Sequence, residues 1–255
     1  MSEERKPYYT PEILARIEEK VATVGSRADK MLLALMRHSF CTDRGREYAY
    51  QGFSRRVGVL RRCIENLFDI IPADRADVPS REELRDAEIN IQAFIANCYG
   101  CVDNLAWIIN FEKKLNLARK KVGLRSHNAE LRAAVSPELR TYLDGLEQWF
   151  GYLVDYRDAL AHRIPLYIPP GMVPQDKVDQ YNELQLQIND ALLRPYEYRR
   201  LLREQEQLLV FQPFMAHSAK EHSGLPFFHP QMLADFATVE ELFSKVFSEL
   251  AARAQ

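Results

Sequence analysis

Glycine is scarce in this chain, with 10 residues among 255. A β-sandwich needs many tight turns, and phosphate-binding loops need glycines that let the backbone approach the ligand. The low glycine content therefore argues against both. The sequence also contains no Walker loop, dinucleotide-binding fingerprint, nucleophile elbow or zinc-protease motif, so the commonest signatures of nucleotide-binding and hydrolytic enzymes are missing.

Long apolar runs are missing as well. The closest approach to one, residues 89–111, is interrupted by several Asn and Asp side chains and predicts a buried helix. Residues 1–20 are charged and lack the apolar stretch of a secretory signal. We therefore expect a cytoplasmic protein with no membrane partner.

Neither sign of charge dominates, because 34 Lys and Arg stand against 36 Asp and Glu. This balance disfavours a general nucleic-acid coat protein but leaves room for a local basic site. The protein class is therefore an ordinary globular one, and any function must be carried by a local group of residues.

Cysteine is limited to four residues, and only Cys98 and Cys101 are close in sequence. A C-x-x-C pair is either a redox pair or half of a zinc site. This pair lies within a helical pattern, and no second Cys or His pair completes a tetrahedral zinc site. We favour packing in a reducing compartment, with no metal and no cofactor. A second metal candidate matches no ligand pattern and is also disfavoured: His217, His222, His229 and Asp235.

Helical periodicity dominates residues 10–163. Thr10 and Pro11 predict a helix start, and Ser80 with Glu83 predicts a capping box. Two prolines end predicted helices, because the residue before a proline is pushed out of the α region. The predicted helices cover residues 11–25, 26–40, 47–71, 81–119 and 138–161.

Proline changes the character of the chain after residue 163, since four prolines between residues 164 and 174 exclude a helix there. The apolar face of the last helix, which Thr238 caps, needs another surface to cover it. We therefore predict a single all-α domain, in which an antiparallel helical bundle, residues 1–163, carries a packed Pro-rich extension, residues 164–255. Within the extension we expect a polar helix near 176–193, an extended stretch at 208–215, a loop over 214–230 and the terminal helix.

The most informative spacing is that of Arg157, Asp158 and His162, at the C-terminal end of the predicted helix 138–161. At about 100° per residue, Arg157 falls on the edge of the apolar stripe, while Asp158 and His162 lie towards the other side. An Arg near a core face needs an acceptor, because an unpaired buried charge is costly. Asp158 lies four residues before His162, which places its carboxylate to orient the imidazole.

These residue types suit phosphodiester chemistry. An imidazole exchanges protons near neutral pH, and a guanidinium is always charged. The His would move protons at a ribose hydroxyl or a leaving oxygen, and the Arg would stabilise charge that develops on the phosphate. Such a pair can cleave RNA without a metal, because the 2′-hydroxyl of the RNA itself is the nucleophile. The alternative is that His162 only caps the helix C-terminus.

The sequence RDALAH, residues 157–162, resembles the R-[NDH]-x3-H motif of the HEPN superfamily, and the helix that carries Asp103 and Asn104 is similar to one in other HEPN-like proteins. The resemblance implies a helical domain over 1–163 whose two protomers line one cleft and cleave RNA without metal, in defence or in a stress response. By position, Arg157 and His162 would be catalytic and Asp158 the polar orienter. Other members have lost catalysis, so a silent binding or assembly module is the alternative. The extension lies outside the motif and, if it covers the cleft, would block RNA.

Two residues of the long helix are expected to support the motif. Asp103 has apolar neighbours, so we predict that it partners Arg157 or His162, and Asn104 follows it. Asn90, Asn97 and Asn104 also recur every seven residues. An inward polar stripe would bind a ligand or hold Arg157, but we favour a solvated helix face.

Basic residues near the motif are the candidates for RNA contacts, although charge runs are usually solvated faces. We expect a homodimer, because one Arg and one His per chain are few catalytic groups, and a second copy facing the first would double them. Besides a second copy and RNA, the partner candidates are a cognate antitoxin or another protein clamped by the extension. The predicted RNA-binding residues are Arg163, Lys113, Lys114, Lys120 and Lys121.

Overall fold

The computed structural model describes residues 6–218 and 224–252. The chain is an all-α helical bundle, as predicted. Within the described ranges, β-structure is limited to isolated bridges such as Tyr167–Ala216 and Met172–Val210, which fall in the extension. The α-helices are α1 (Pro11–Arg37), α2 (Asp43–Glu47), α3 (Ser54–Ile70), α4 (Arg81–Glu112), α5 (Ala129–Ala133), α6 (Pro137–Gly145), α7 (Glu147–His162), α8 (Val178–Asp190), α9 (Pro195–Glu206) and α10 (Phe228–Ala251).

Several helix boundaries differ from the predicted ones. α1 continues through Gly25, because Val24 and Ala28 belong to one buried stripe along the helix. α4 ends at Glu112 and not near residue 119, since Lys114 and Asn116 both take a positive φ of 53°.

Two further differences concern the second half of the chain. The predicted helix 138–161 is divided at Leu146 into α6 and α7. α10 begins at Phe228, ten residues before Thr238, because Phe228, Met232 and Phe236 are buried and give its first turns a core face.

Helix α4 is the centre of the bundle. It packs against α3 along much of its length, and against α7 and α10. The main core includes residues of the extension, among them Leu166, Ile168 and Met215, together with the buried face of α10. The α8–α9 hairpin has a small core of its own, formed by Leu184, Ile188, Ala191, Leu201 and Leu208.

The asparagine stripe of α4 is not a solvated face. The guanidinium of Arg56 crosses from α3 and donates to Asn97 Oδ1 at 3.1 Å and to Asn104 Oδ1 at 3.0 Å. A Cβ at Gly100 would lie 2.3 Å from Arg56 Cζ, so glycine makes room for this arginine. The stripe therefore fastens α3 to α4, and it does so through a residue 41 to 48 positions away in sequence.

The cysteines are free, and Cys98 and Cys101 are buried in α4, in agreement with the packing prediction. Burial raises the pKa of both thiols, which opposes thiolate chemistry. In the part of the chain that the structure describes, no helix is both long enough and apolar enough to cross a membrane.

Candidate active site at the end of helix α7

Helix α7 presents the motif at its C-terminal end. Phe150, Leu153 and Tyr156 are buried and anchor the helix to the bundle. The helix ends when Arg163 leaves the helical region at φ −126° and ψ −136°, two residues before Pro165. The buried stripe thus fixes the helix, and its last two turns carry Arg157, Asp158 and His162.

Arg157 is held by residues of its own chain. Its Nη1 lies 2.8 Å from Asp158 Oδ1, and its guanidinium carbon lies 4.4 Å from the centre of the Tyr99 ring on α4. The side chain is 35% exposed. Burial works to lower the pKa of this guanidinium, but Tyr99, Asp158 and Asp103 outweigh it and the pKa is raised. The arginine is therefore charged, fixed against α4 and still accessible from one side.

Asp158 does not contact the imidazole of His162. Its carboxylate pairs with Arg157, and no hydrogen bond joins it to His162. In this structure Asp158 therefore orients the arginine of the motif and not its histidine.

His162 is the last residue of α7 and is exposed. It makes no hydrogen bond or ion pair with any residue in the described ranges. The extension approaches the neighbouring turn, where His217 Nε2 lies 3.0 Å from Asp155 Oδ2, but it leaves His162 open to solvent. The imidazole is thus available to a ligand or to a second molecule.

Asp103 interacts with Arg157, but Asn104 takes a different role from the predicted one. Asp103 is exposed, and Arg157 acts on it electrostatically but pairs directly with Asp158. Limited hydration raises the pKa of Asp103 and outweighs the opposing influence of the nearby guanidinium groups. Asn104 is buried, accepts from Arg56 and lies against Gly52, so it serves the α3–α4 interface.

The prediction that Lys113 contacts RNA is wrong. Its side chain is 1% exposed, and the ammonium pairs with Glu249 of α10 and donates to the carbonyl of Ala134 at 2.8 Å. Lys114 is exposed in the turn that ends α4. No local pattern in the sequence indicates this pairing, because the partner lies 136 residues away.

The remaining basic candidates are exposed. Arg163 binds Asp155 at 2.5 Å, next to the motif. Lys120 and Lys121 lie in a short 3-10 turn, Arg119–Lys121, where Lys121 pairs with Glu130. Lys120 lines a recess that also contains Asp103.

This recess, of about 160 Å³, lies between α4, α7 and the connection that precedes α5. It touches Tyr99, the residue that holds Arg157, and is therefore adjacent to the motif. Sequence reasoning missed three of its polar residues, Arg125, His127 and Asn128. The run GLRSHN signalled a turn, but nothing in its spacing indicated that it would fold over Asp103.

The residues considered for a metal site are spread over different environments. His229 is buried and lies 2.7 Å from the carbonyl of Ile71, and Asp235 is bound by Trp149 and Gln231. His217 contacts Asp155, and His222 lies outside the described residues. Among residues 6–218 and 224–252, no group of three or more His, Cys, Asp or Glu side chains is arranged to hold a metal ion.

Comparison with known proteins adds no relative. The chain matches no protein-family model, no curated protein and no solved structure. The resemblance to the HEPN superfamily therefore depends on the motif at residues 157–162 and on its position at the exposed end of a helix.

Proposed function

We propose that this protein is an HEPN-like, metal-independent endoribonuclease that acts as a homodimer in defence or in a stress response. The observation that carries the proposal is the accessibility of the motif. His162 is exposed and unpaired among the described residues, and the Arg157 side chain, in the last two turns of the same helix, is 35% exposed. An extension that covered either residue would have argued against RNA access.

The chemistry follows from the two side chains. Neutral His162 takes the proton from a ribose 2′-hydroxyl, and the 2′-oxygen attacks the adjacent phosphorus. The bond to the 5′-oxygen breaks, which leaves a 2′,3′-cyclic phosphate, and a protonated imidazole from the other protomer supplies the proton to the 5′-oxygen. Arg157 stabilises the negative charge that develops on the phosphate during attack.

Tyr99 and Asp158 act in this scheme as positioning residues. The ring of Tyr99 supports one face of the guanidinium, and Asp158 binds one of its nitrogens at 2.8 Å. A fixed arginine meets the phosphate without first losing side-chain freedom, which favours the transition state. The homodimer places a second copy of each group in the same cleft.

The test is RNA cleavage in the presence of a chelator. We expect wild type to cleave and His162→Ala to lose about 10²- to 10⁴-fold in rate while its fold is unchanged. Arg62→Ala is the matched control, because it removes an exposed cation on α3 whose partner is Glu65. Cleavage that is equal in wild type and His162→Ala on every RNA tested would remove the nuclease proposal.

The homodimer has a separate test. Light scattering at micromolar concentration should give twice the 29.7 kDa of one chain. A monomer with and without RNA would exclude a site composed of two protomers.

A second candidate is a catalytically silent binding or assembly module of the same fold. It is favoured by the partners that Arg157 already has in its own chain, Asp158 and Tyr99, which give the arginine a structural role without RNA. RNA binding without cleavage, unaffected by His162→Ala, would support this module.

A further inference from the structure

The recess beside α7 has the composition of a small ligand site. Its floor is apolar, with Val102, Phe150 and Leu153, and its polar groups are concentrated on the connection that precedes α5. Pockets with an apolar floor and a few fixed polar groups are typical of small-molecule sites. At about 30 Å³ per water molecule, the recess of about 160 Å³ has room for about five waters, so it fits a compact group.

One buried polar group in this recess lacks a partner in the described part of the chain, the Nε of Arg125. Asn128, which is only 7% exposed, also lines the recess. Buried polar groups without partners are rare in folded proteins, because desolvation without a compensating hydrogen bond is costly. Both groups line the recess and offer donors to a bound molecule.

The connection is shaped to hold these donors in place. A Cβ at Gly123 would lie 2.4 Å from Asn128 Oδ1, so only glycine lets the amide approach the backbone at this point. The backbone N–H of Asn128 donates to the carbonyl of Arg125 at 3.0 Å, which closes the turn between the two residues. Both Arg125 and Asn128 therefore belong to one closed turn that lines the recess.

The charge of the recess favours an anion. Lys120 and Arg125 contribute two cations, against the single carboxylate of Asp103. Beyond the lining, the guanidinium groups of Arg157, Arg56 and Arg119 act on the same carboxylate.

We propose that this recess binds a phosphate monoester, with the phosphate oxygens on Lys120, Arg125 and Asn128 and the ester carbons on the apolar floor. Guanidinium, ammonium and amide donors together match the three terminal oxygens of such a group. The phosphate belongs either to a free small molecule or to the end of an RNA strand. The site does not depend on cleavage, and it is distinct from the Arg157 and His162 groups that the proposed nuclease uses.

Calorimetric titration of the full chain with ribose 5-phosphate, ribose, and a short RNA with or without a 5′-phosphate tests the proposal. We expect ribose 5-phosphate to bind with Kd of about 1 mM or below and ribose not to bind, and we expect the 5′-phosphate to tighten the binding of the RNA. Tighter binding of the phosphorylated RNA than of ribose 5-phosphate would assign the phosphate to a strand end, and the reverse order to a free ligand. Heats that are equal with and without the phosphate would overturn the proposal.

Paired variants sharpen this titration. Lys120→Gln should weaken binding about tenfold, because it removes one charge-assisted hydrogen bond. Lys121→Gln is the matched control on the same turn, since its partner is Glu130, and should change the affinity for ribose 5-phosphate by less than about twofold. Asp103→Asn should tighten binding about threefold by removing the opposing charge. All three positions are exposed, so these proteins should fold as wild type does.

Equal losses in Lys120→Gln and Lys121→Gln would show a general charge effect and would refute the site. His162→Ala separates this proposal from the nuclease proposal. The variant should keep wild-type affinity for ribose 5-phosphate even if neither it nor wild type cleaves RNA.

Discussion

Helix α7 separates two groups of polar residues that differ in nearly every physical respect. On its buried side, Trp149 Nε1 donates to Asp235 Oδ1 at 2.9 Å and Gln231 Nε2 donates to the same oxygen at 2.8 Å. At its exposed end, Arg157 has one ion pair and His162 has no partner among the described residues. The buried group is satisfied by the protein itself, whereas the exposed group retains the capacity to bind something else.

Two groups with shifted pKa values, Asp235 and His229, are not accessible to solvent. Burial raises the pKa of Asp235 to about 6 and lowers that of His229 to about 4. Both side chains are at most 1% exposed, and their partners are residues of the core. Strong pKa shifts often mark active sites, but here their cause is structural burial. The comparison predicts that substitutions in the buried group change stability, and that substitutions at the end of α7 change function.

The largest expected effect on stability is at Lys113. Lys113→Ala leaves Glu249, which is 10% exposed, without its cation, so the free energy of unfolding should fall by about 3–5 kcal/mol. Lys114→Ala, at the exposed neighbour, should change it by about 0.5 kcal/mol or less. Urea denaturation of the two variants measures this difference, and equal losses would contradict the comparison.

Asp235 should give a pH-dependent effect of intermediate size. Its pKa in the folded protein, about 6, is above its ordinary value of 3.8. The contribution of the neutral Asp235 carboxyl group to stability is therefore complete below about pH 4 and is lost as pH rises through about 6. Asp235→Asn keeps an oxygen for Trp149 and Gln231 but cannot ionise. Its stability relative to wild type should thus rise by about 2–3 kcal/mol between pH 4 and pH 7.

His229 also titrates in this pH range, and its effect on stability has the opposite sign. Its pKa is lowered from 6.5 to about 4, so its contribution is complete above pH 6.5 and is lost as pH falls towards 4. Since His229 is present in both proteins, the difference between Asp235→Asn and wild type isolates Asp235. A difference that does not vary with pH would show that the carboxylate is ionised throughout.

Arg157→Ala should have a smaller effect on stability. Its pair with Asp158 is partly exposed on both sides and is worth about 0–1 kcal/mol, and the contact with Tyr99 adds about 0.5–1 kcal/mol. We therefore expect a loss of about 1 kcal/mol in thermal or urea unfolding, together with loss of RNA cleavage. A loss of 3 kcal/mol or more, of the order expected for breaking a buried pair, would place Arg157 with the buried group.

The smallest effect is expected at His162. The side chain is exposed and unpaired within the described ranges, so His162→Ala should change the free energy of unfolding by about 0.5 kcal/mol or less at pH 7. Gln148→Ala, at an exposed position on the same helix, is the reference. A clear loss of stability in His162→Ala alone would indicate a structural role for the imidazole.

Local signals predicted the elements that depend on neighbours within one or two turns. The capping box of Ser80 and Glu83 is present at the start of α4, and α7 ends just before Pro165. Both features depend on backbone geometry and on side chains three or fewer residues away. The prediction failed at Gly25, where the buried stripe of α1 outweighed the low helix propensity of glycine.

The candidate site was predicted only in part. The motif at residues 157–162 could be recognised from spacing, and its location at a helix end from the apolar stripe and the following proline. The partner of Arg157 could not be recognised in the same way. Asp103 was expected from its apolar neighbours, but the ring of Tyr99 and the adjacent Asp158 hold the guanidinium. Side-chain direction at a helix crossing depends on the packing of both helices.

By itself the sequence determined the all-α class, the end of α7 and the presence of one Arg and one His there, because these follow from periodicity and local backbone preference. Only the tertiary structure decided that Arg56 joins α3 to α4, that Lys113 is buried on Glu249 and that residues 120–128 fold over Asp103. Each of these depends on contacts between residues distant in sequence. The sequence does not show whether a charged or amide side chain faces water or a partner in the protein. Burial and pairing in the folded structure distinguish these two cases.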